Sequence, residues 1–480
     1  MPRIAALGLA VCLFGAAALA GCQSINVEMN KPLAEVAGAD SPTISKGGYR
    51  LPALAPPEHD ELLLILAFSG GGKRSSAFSY GALKAMRELQ VQGRDGNYPM
   101  ISDIDMISSV SGGTFTSMYY GLHRDKIFTD YEKDFLQVDI DAYIEGIYLL
   151  PWNWDWLVNP LVGTNDYMAK VYDDHMFHGA TYADLAKNGR PMIMADATDI
   201  TYGRVFSFMQ DTFDLICSDL SSFPVARATA ASNGFPVLFS PITLISYTKD
   251  CKGRVPSWFT DTKQAADTHP DSRLAASRKQ AEEYLNAKET WYVHLLDGGI
   301  VDNLALRGLI NSMLLMFDNP KGAVERGFHK WRRVLIISVD GEGDQDTSWA
   351  RQRQVTGFGQ IISNVSGAQI DEYNFETLNL IQQEVAKFAA FLAEVRCDQG
   401  ATIDGFRCDD VQSQFVHLSL SDVTDESVRK QLEAIPTGLT VSDEDLKLLI
   451  QSGYDAVMRS EAIKAALDVR DDKTEEKKKP

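Results

Sequence analysis

From Leu62 to Phe68 every residue is apolar, and an unbroken run of that kind marks a strand buried on both faces, as in a parallel sheet. It ends in Ser69-Gly70-Gly71-Gly72-Lys73-Arg74 and gives way to amphipathic helical spacing from about Ser76 to Leu89. Further buried strands are predicted at Ile104 to Val110, Pro191 to Ala197, Trp291 to Leu296 and Val334 to Val339, with helical segments between them. Strands alternating with helices predict an α/β fold with a mostly parallel central sheet flanked by helices. The stretch from Cys251 to Glu289 is polar and helix-prone and reads as an insertion. After Asp340 the pattern changes to one long helical repeat at Gln369 to Val395, a strand at Phe415 to Leu420 and a helical close at Asp443 to Ala465. A largely helical C-terminal extension over 346–467 is therefore expected beyond a body at 60–345, with a charged, disordered tail at 468–480.

Composition narrows the picture. The chain has 480 residues, 45% of them hydrophobic, enough to bury a large core. A formal net charge of -19 argues against nucleic-acid binding, which rests on surplus Lys and Arg, and against electrostatic attraction to anionic membranes. Membrane attachment must then be apolar or covalent. At the N-terminus, Arg3, the apolar run Ile4 to Ala18 and then Leu19-Ala20-Gly21-Cys22 resemble a bacterial lipoprotein signal peptide. The alternative, a retained membrane-spanning helix, would need a longer run. The resemblance implies a signal peptide at 1–21, a lipid anchor at Cys22 and a flexible tether over 22–59, which is rich in Ala, Pro, Ser and Gly. With Gln23 rather than Asp next, it also implies the bacterial cell envelope, at the outer membrane.

With Cys12 lost and Cys22 lipidated, Cys217, Cys251, Cys397 and Cys408 remain, an even number that allows two disulfides in an exported protein. Cys397 with Cys408 and Cys217 with Cys251 is the most local of three connectivities. No C-x-x-C or H-x-x-x-H spacing occurs, so no metal site is expected.

Three separated stretches carry candidate chemistry. In Met106-Ile107-Ser108-Ser109-Val110-Ser111-Gly112-Gly113-Thr114 an apolar strand meets a turn of small residues and then a helix starting near Gly113, the setting of a nucleophile elbow. The pattern is S-x-S-x-G, with Ser109 where the first glycine usually stands; a plain strand-to-helix turn capped by Ser111 or Thr114 is the rival reading. The Gly70-Gly71-Gly72 loop offers backbone N–H groups at a helix start for an oxyanion. A nucleotide P-loop is the weaker reading, because Ala67 stands where it needs glycine. The third stretch is Leu296-Asp297-Gly298-Gly299-Ile300-Val301-Asp302-Asn303, a carboxylate at a strand end followed by glycines.

In that order the three motifs resemble the patatin-like phospholipase family, in which a glycine-rich oxyanion loop, an elbow serine and an Asp-Gly-Gly or Asp-Gly-Ala aspartate form a Ser-Asp dyad without histidine. Ala226-Arg227-Ala228-Thr229-Ala230-Ala231-Ser232, followed by Phe235-Pro236 and Pro241, is similar to a fourth family block. The resemblance spans roughly Leu62 to Asp340 and implies a three-layer patatin-like fold. Carried over residue by residue, it implies Ser111 as nucleophile, Asp297 as its base, and the Gly70, Gly71, Gly72 and Gly112 backbone as oxyanion hole. No cofactor is implied. An aspartate of ordinary pKa is a poor base near neutrality, and burial at a strand end would raise it.

Lys73 and Arg74 would contact a lipid phosphate, unless they are solvated charges at a helix start. Histidines are sparse: His59, His123, His175, His178, His269, His294, His329 and His417. By strand alternation His294 faces away from Asp297. The segment Leu149 to Val158 concentrates tryptophans beside aliphatics, which suits either a membrane interface or an insertion folded over the core. The long helix at Gln369 to Val395 suits packed core or a subunit contact that would make a homo-oligomer. These readings converge on a lipid-anchored serine acyl hydrolase that cleaves carboxylic ester bonds of phospholipids or lysophospholipids. A lipid-binding or scaffolding lipoprotein on the same fold is the alternative.

Overall fold

A computed structural model of the chain describes residues 62–468 apart from 94–95, 237, 252, 287, 318–322, 325–326, 344–349, 352 and 354–357, together with 27, 29–33, 48–55 and 59. The strands of the main sheet are β1 (Leu62–Phe68), β2 (Ile104–Val110), β3 (Met192–Asp199), β4 (Arg204–Ser207), β5 (Ile242–Ile245), β6 (Tyr292–Asp297), β7 (Arg333–Asp340) and β8 (Gln412–Ser419). Their order is β8-β7-β1-β2-β3-β6-β5, with β4 paired to β3. Helices flank this sheet in a three-layer α/β architecture. Those that matter below are α1 (Gly72–Glu88), α2 (Gly112–His123), α3 (Thr164–Tyr172), α4 (Val225–Ser232), α5 (Arg307–Phe317), α6 (Phe358–Cys397) and α7 (Asp443–Arg459).

Every residue of β1, β2, β3 and β7 is buried, which is why β1 reads as a continuous apolar run rather than an alternating one. The pairs β8-β7, β7-β1, β1-β2 and β2-β3 are parallel, whereas β3-β6, β6-β5 and β3-β4 are antiparallel. Apolar periodicity locates a strand without giving its direction, so β6 was legible as a strand but not as an antiparallel one.

The expected C-terminal extension is part of the body. Strand β8 extends the main sheet beside β7, and α7 lies across α1 so closely that a Cβ on Gly81 would stand 2.0 Å from the Ile450 carbonyl oxygen, and one on Gly453 2.0 Å from that of Phe78. Only glycine on both helices permits that crossing. In α6 the residues Ile381, Val385, Phe388 and Leu392 are core, while Tyr373 and Phe375 are exposed. Both local disulfides are formed, Cys217–Cys251 with Cα atoms 6.0 Å apart and Cys397–Cys408 at 4.8 Å.

The stretch expected to be a flexible tether is held to the body at several points. Asn30 donates to the Ser218 hydroxyl at 2.9 Å and to the Ile245 carbonyl at 2.8 Å, and Lys31–Pro32 pairs with Ser218–Asp219. The Tyr49 ring is buried and its hydroxyl accepts the Ile193 N–H at 2.8 Å, while Arg50 pairs with Asp211 and Asp214. Single anchors of this kind leave no periodic trace in a sequence. Residues 1–22, including Cys22, and 469–480 lie outside the described residues. Among the described residues no helix is long and apolar enough to cross a membrane.

Candidate active site

Strand β2, in the middle of the sheet, carries Ser111 to its C-terminal end, where the chain must turn at once into α2. Ser111 adopts φ 49° and ψ −124°, a conformation an L-residue enters only when its surroundings compel it. The compulsion comes from α4 and the residue after it. The Ser111 N–H donates to the Ser232 hydroxyl at 2.9 Å, and the Asn233 amide donates to the Ser111 carbonyl at 2.8 Å and to that of Thr229 at 3.0 Å. Ser232 in turn donates to the Asp196 carbonyl at 2.7 Å. Ser109 fits in place of the usual glycine because it lies within β2 and not in the strained turn; its buried hydroxyl meets that of Ser117 at 2.6 Å.

The Ser111 hydroxyl donates to Asp297 Oδ2 at 2.9 Å. Asp297 ends β6 and is held there by its own N–H, which donates to the Gly234 carbonyl at 2.9 Å, and by Oδ1, which accepts the Gly299 N–H at 2.8 Å. Burial pushes the Asp297 carboxyl up to about 6, against the opposing pull of the Gly299 N–H and the Ser111 hydroxyl. No histidine among the described residues hydrogen-bonds to either side chain. His294 instead meets the Thr243 hydroxyl at 3.0 Å, His123 the Met176 carbonyl and His175 the Tyr143 hydroxyl.

The glycine loop lies against the elbow. A Cβ on Gly112 would stand 2.0 Å from the Gly72 carbonyl oxygen, so the two segments approach to backbone contact. The N–H groups of Gly71, Gly72 and Gly112 have no acceptor among the described residues. Gly70 departs from expectation: its N–H donates to the Asn303 carbonyl at 2.8 Å and is not free for an oxyanion. Nothing in a run of three glycines tells which N–H is spent.

Residues 66–310, just over half of the chain, match the family described as patatin-like phospholipase. The chain belongs to that family. No curated protein matches the sequence. Among solved structures, human GIVD cytosolic phospholipase A2 is similar at 11% identity and a TM-score of 0.40, covering 85% of this chain and 60% of that one. Its complex with methyl gamma-linolenyl fluorophosphonate gives 11% identity and a TM-score of 0.38 over the same shares. The complex with that inhibitor and terbium chloride gives 11% and 0.40 over 87% and 61%. The chain thus spans about three fifths of the length of these proteins, and the likeness is too remote to transfer residue roles.

Two further expectations for this member of the family need correction. Lys73 and Arg74 are buried and spent on protein carbonyls, not offered to a substrate phosphate. Lys73 donates to the Val138 carbonyl and lies over the Phe135 ring, and burial pushes its pKa down to about 8 against the pull of Asp141 and Asp139. Arg74 donates to the Gly341 carbonyl at 2.7 Å, to that of Ile435, and to the Thr437 hydroxyl at 3.1 Å. Both stitch the start of α1 to distant loops. Ser232 closes a recognisable block and Asn233 follows it directly, but their grip on the Ser111 backbone had no sequence signal. No cluster of His, Cys, Asp and Glu that could hold a metal occurs among the described residues.

Proposed function

We propose that this chain is a serine acyl hydrolase that cleaves carboxylic ester bonds of phospholipids or lysophospholipids, anchored by lipid at Cys22 to the outer membrane. Ser111 is the nucleophile, Asp297 its general base, and the N–H groups of Gly71, Gly72 and Gly112 the oxyanion hole. The observation that carries this reading is the hydrogen bond from the Ser111 hydroxyl to a buried carboxylate whose pKa is lifted toward neutrality.

A serine hydroxyl attacks an ester only as its proton leaves. The proton passes from Ser111 Oγ to Asp297 Oδ2 while Oγ bonds to the substrate carbonyl carbon, and the carbonyl oxygen gathers negative charge against the three free N–H groups. Collapse breaks the bond to the alcohol, which takes the proton from Asp297 and leaves an acyl-serine. A water then repeats the sequence: it gives a proton to Asp297, adds to the acyl carbon, and the second collapse returns the proton to Ser111 and frees the fatty acid. No step calls on an imidazole.

Covalent labelling with a fluorophosphonate tests the assignment. The wild type is expected to label and Ser111→Ala to remain unlabelled and folded, with ester hydrolysis lost; labelling that persists in Ser111→Ala would put the nucleophile elsewhere.

A further inference from the structure

The segment between the helix at Ile140–Leu149 and α3 exposes a cluster of large apolar side chains that no described part of the chain covers: Trp152 is 74% exposed, Val158 75% and Leu161 80%, with Leu149, Trp154 and Leu157 beside them. We infer that this surface docks on the face of a zwitterionic phospholipid bilayer and sets the mouth of the active site against it. The inference rests on the hydrolase reading above and names where its substrate enters.

Four observations favour a bilayer as the occupant. Much of the segment's backbone is paired within the segment: the N–H groups of Leu150, Asn153, Trp154, Leu157, Val158, Asn159 and Val162 all donate to carbonyls within the stretch 146–159, so entry into an apolar medium strands none of these seven. The Trp154 indole N–H is likewise spent on the Tyr148 carbonyl at 3.1 Å. The surface is also joined to the chemistry. Tyr148 donates to the Leu238 carbonyl at 3.3 Å, and Leu238, itself exposed, follows shortly on Asn233 and Gly234, which touch Ser111 and Asp297.

Charge decides the kind of bilayer. From Asp134 to Ala169 the sequence holds no lysine or arginine, while Asp139, Asp141, Glu145 and Asp155 are all within it, so the segment itself offers no attraction to anionic headgroups and partition of its apolar side chains is the driving force. The chain's N-terminal side leads to the same place. Met29 lies 3.9 Å from Arg227, which pairs with Asp166 at 2.9 Å, and Asp166 accepts the Gly163 N–H at 3.0 Å at the foot of the segment. The residues between Met29 and Cys22 can span at most roughly 25 Å when extended. An anchor at Cys22 would thus hold this face near the membrane.

The test uses the full chain with vesicles of phosphatidylcholine, with and without brominated acyl chains, against the triple variant Trp152→Ser, Val158→Ser, Leu161→Ser. These side chains are largely in solvent already, so the thermal midpoint should not move. Expected are bromine quenching of wild-type tryptophan emission that the variant loses at Trp154, and vesicle hydrolysis lowered at least about tenfold, alike at low and high salt. Turnover of a short-chain soluble ester should be unchanged. Quenching absent in the wild type, or vesicle hydrolysis unaltered in the variant, would overturn the inference. So would a concentration-dependent dimer that the variant dissolves without any quenching, since a second copy would then own this face. If the wild type turns over neither substrate, the hydrolase reading fails, and the quenching still decides the docking.

Discussion

The two halves of the sheet contribute different things to one site. On the parallel side the loops after β1, β2 and β7 meet at one edge and are tied to each other: the Ser69 N–H donates to the Val339 carbonyl at 3.1 Å, the Gly341 N–H to the Ser69 hydroxyl at 3.0 Å and the Gly113 N–H to the Ser69 carbonyl at 3.1 Å. That edge supplies Ser111, the proposed nucleophile, and the free N–H groups. On the antiparallel side β6 pairs with only the last residues of β3, Leu295 with Asp199 through Asp297 with Ala197, so it arrives from beyond the sheet and stops at the site. Strand β2 ends one register position away, with Val110 opposite Asp196. Ser111 and Asp297, the proposed nucleophile and base, therefore come head to head from opposite directions. A one-residue slip of β6 would turn Asp297 to the other face, so the proposed base depends on register while the proposed oxyanion donors depend on backbone packing.

The sharpest way to break this division is to remove the proposed base and keep its shape. Asp297→Asn should lower ester turnover by about 10⁴-fold, close to the loss in Ser111→Ala, because the two act as a unit. The double variant should be no worse than either single one. His294→Gln should keep most activity, since its ring hydrogen-bonds to Thr243. Steady-state kinetics on the four folded proteins decides it; an inactive His294→Gln would assign the proton to an imidazole.

On the parallel side the corresponding break is Gly112→Ala. Its methyl would fall 2.0 Å from the Gly72 carbonyl oxygen and 2.7 Å from the carbonyl carbon, which is backbone and cannot swing aside. The glycine loop must then retreat, at a cost of about 1–3 kcal/mol in stability. With the donors displaced from the developing oxyanion, kcat should fall about 10²-fold with KM little changed. A variant with wild-type kcat would show that these N–H groups do not serve the transition state.

The pH profile isolates the antiparallel side. As the proposed base, Asp297 must be ionised to accept a proton, and burial lifts its carboxyl to about 6. Activity should thus be level above that pH and fall about tenfold per unit below it. The sign follows from the role: a base is lost on protonation. A profile still flat at pH 5 would detach the rate from this carboxylate.

How much of this was legible in the sequence differs between the halves for a physical reason. Strands β1 and β2 are buried on both faces and bounded by glycine loops, and their limits agree with the strands predicted at Leu62–Phe68 and Ile104–Val110. The Ser111 and Asp297 positions were legible because their motifs combine a strand end with obligate small residues. Strands β4 and β5 are short and only partly buried, and gave no run to find. The long helical insertion at 257–285 separates β5 from β6 and hides their hairpin pairing. Whether a charge near a glycine loop faces solvent or core is settled by tertiary partners, which is why Lys73 and Arg74 looked like ligands for phosphate.

That last point gives the smallest effect on chemistry and the cleanest separation of packing from binding. Arg74→Met removes the donors to the Gly341 and Ile435 carbonyls and the Thr437 hydroxyl while keeping most of the buried stem. Carbonyls left unpaired in the interior cost about 1–3 kcal/mol each, so the thermal midpoint should drop by several degrees. Lys73→Met should act in the same direction and less strongly, since a single carbonyl, that of Val138, loses its partner. At a temperature where both variants are folded, KM for phospholipid should stay within about twofold of wild type, because neither cation reaches solvent to meet a headgroup. A large rise in KM with an unchanged melting temperature would return these residues to the substrate and make the glycine loop a phosphate clamp as well as an oxyanion hole.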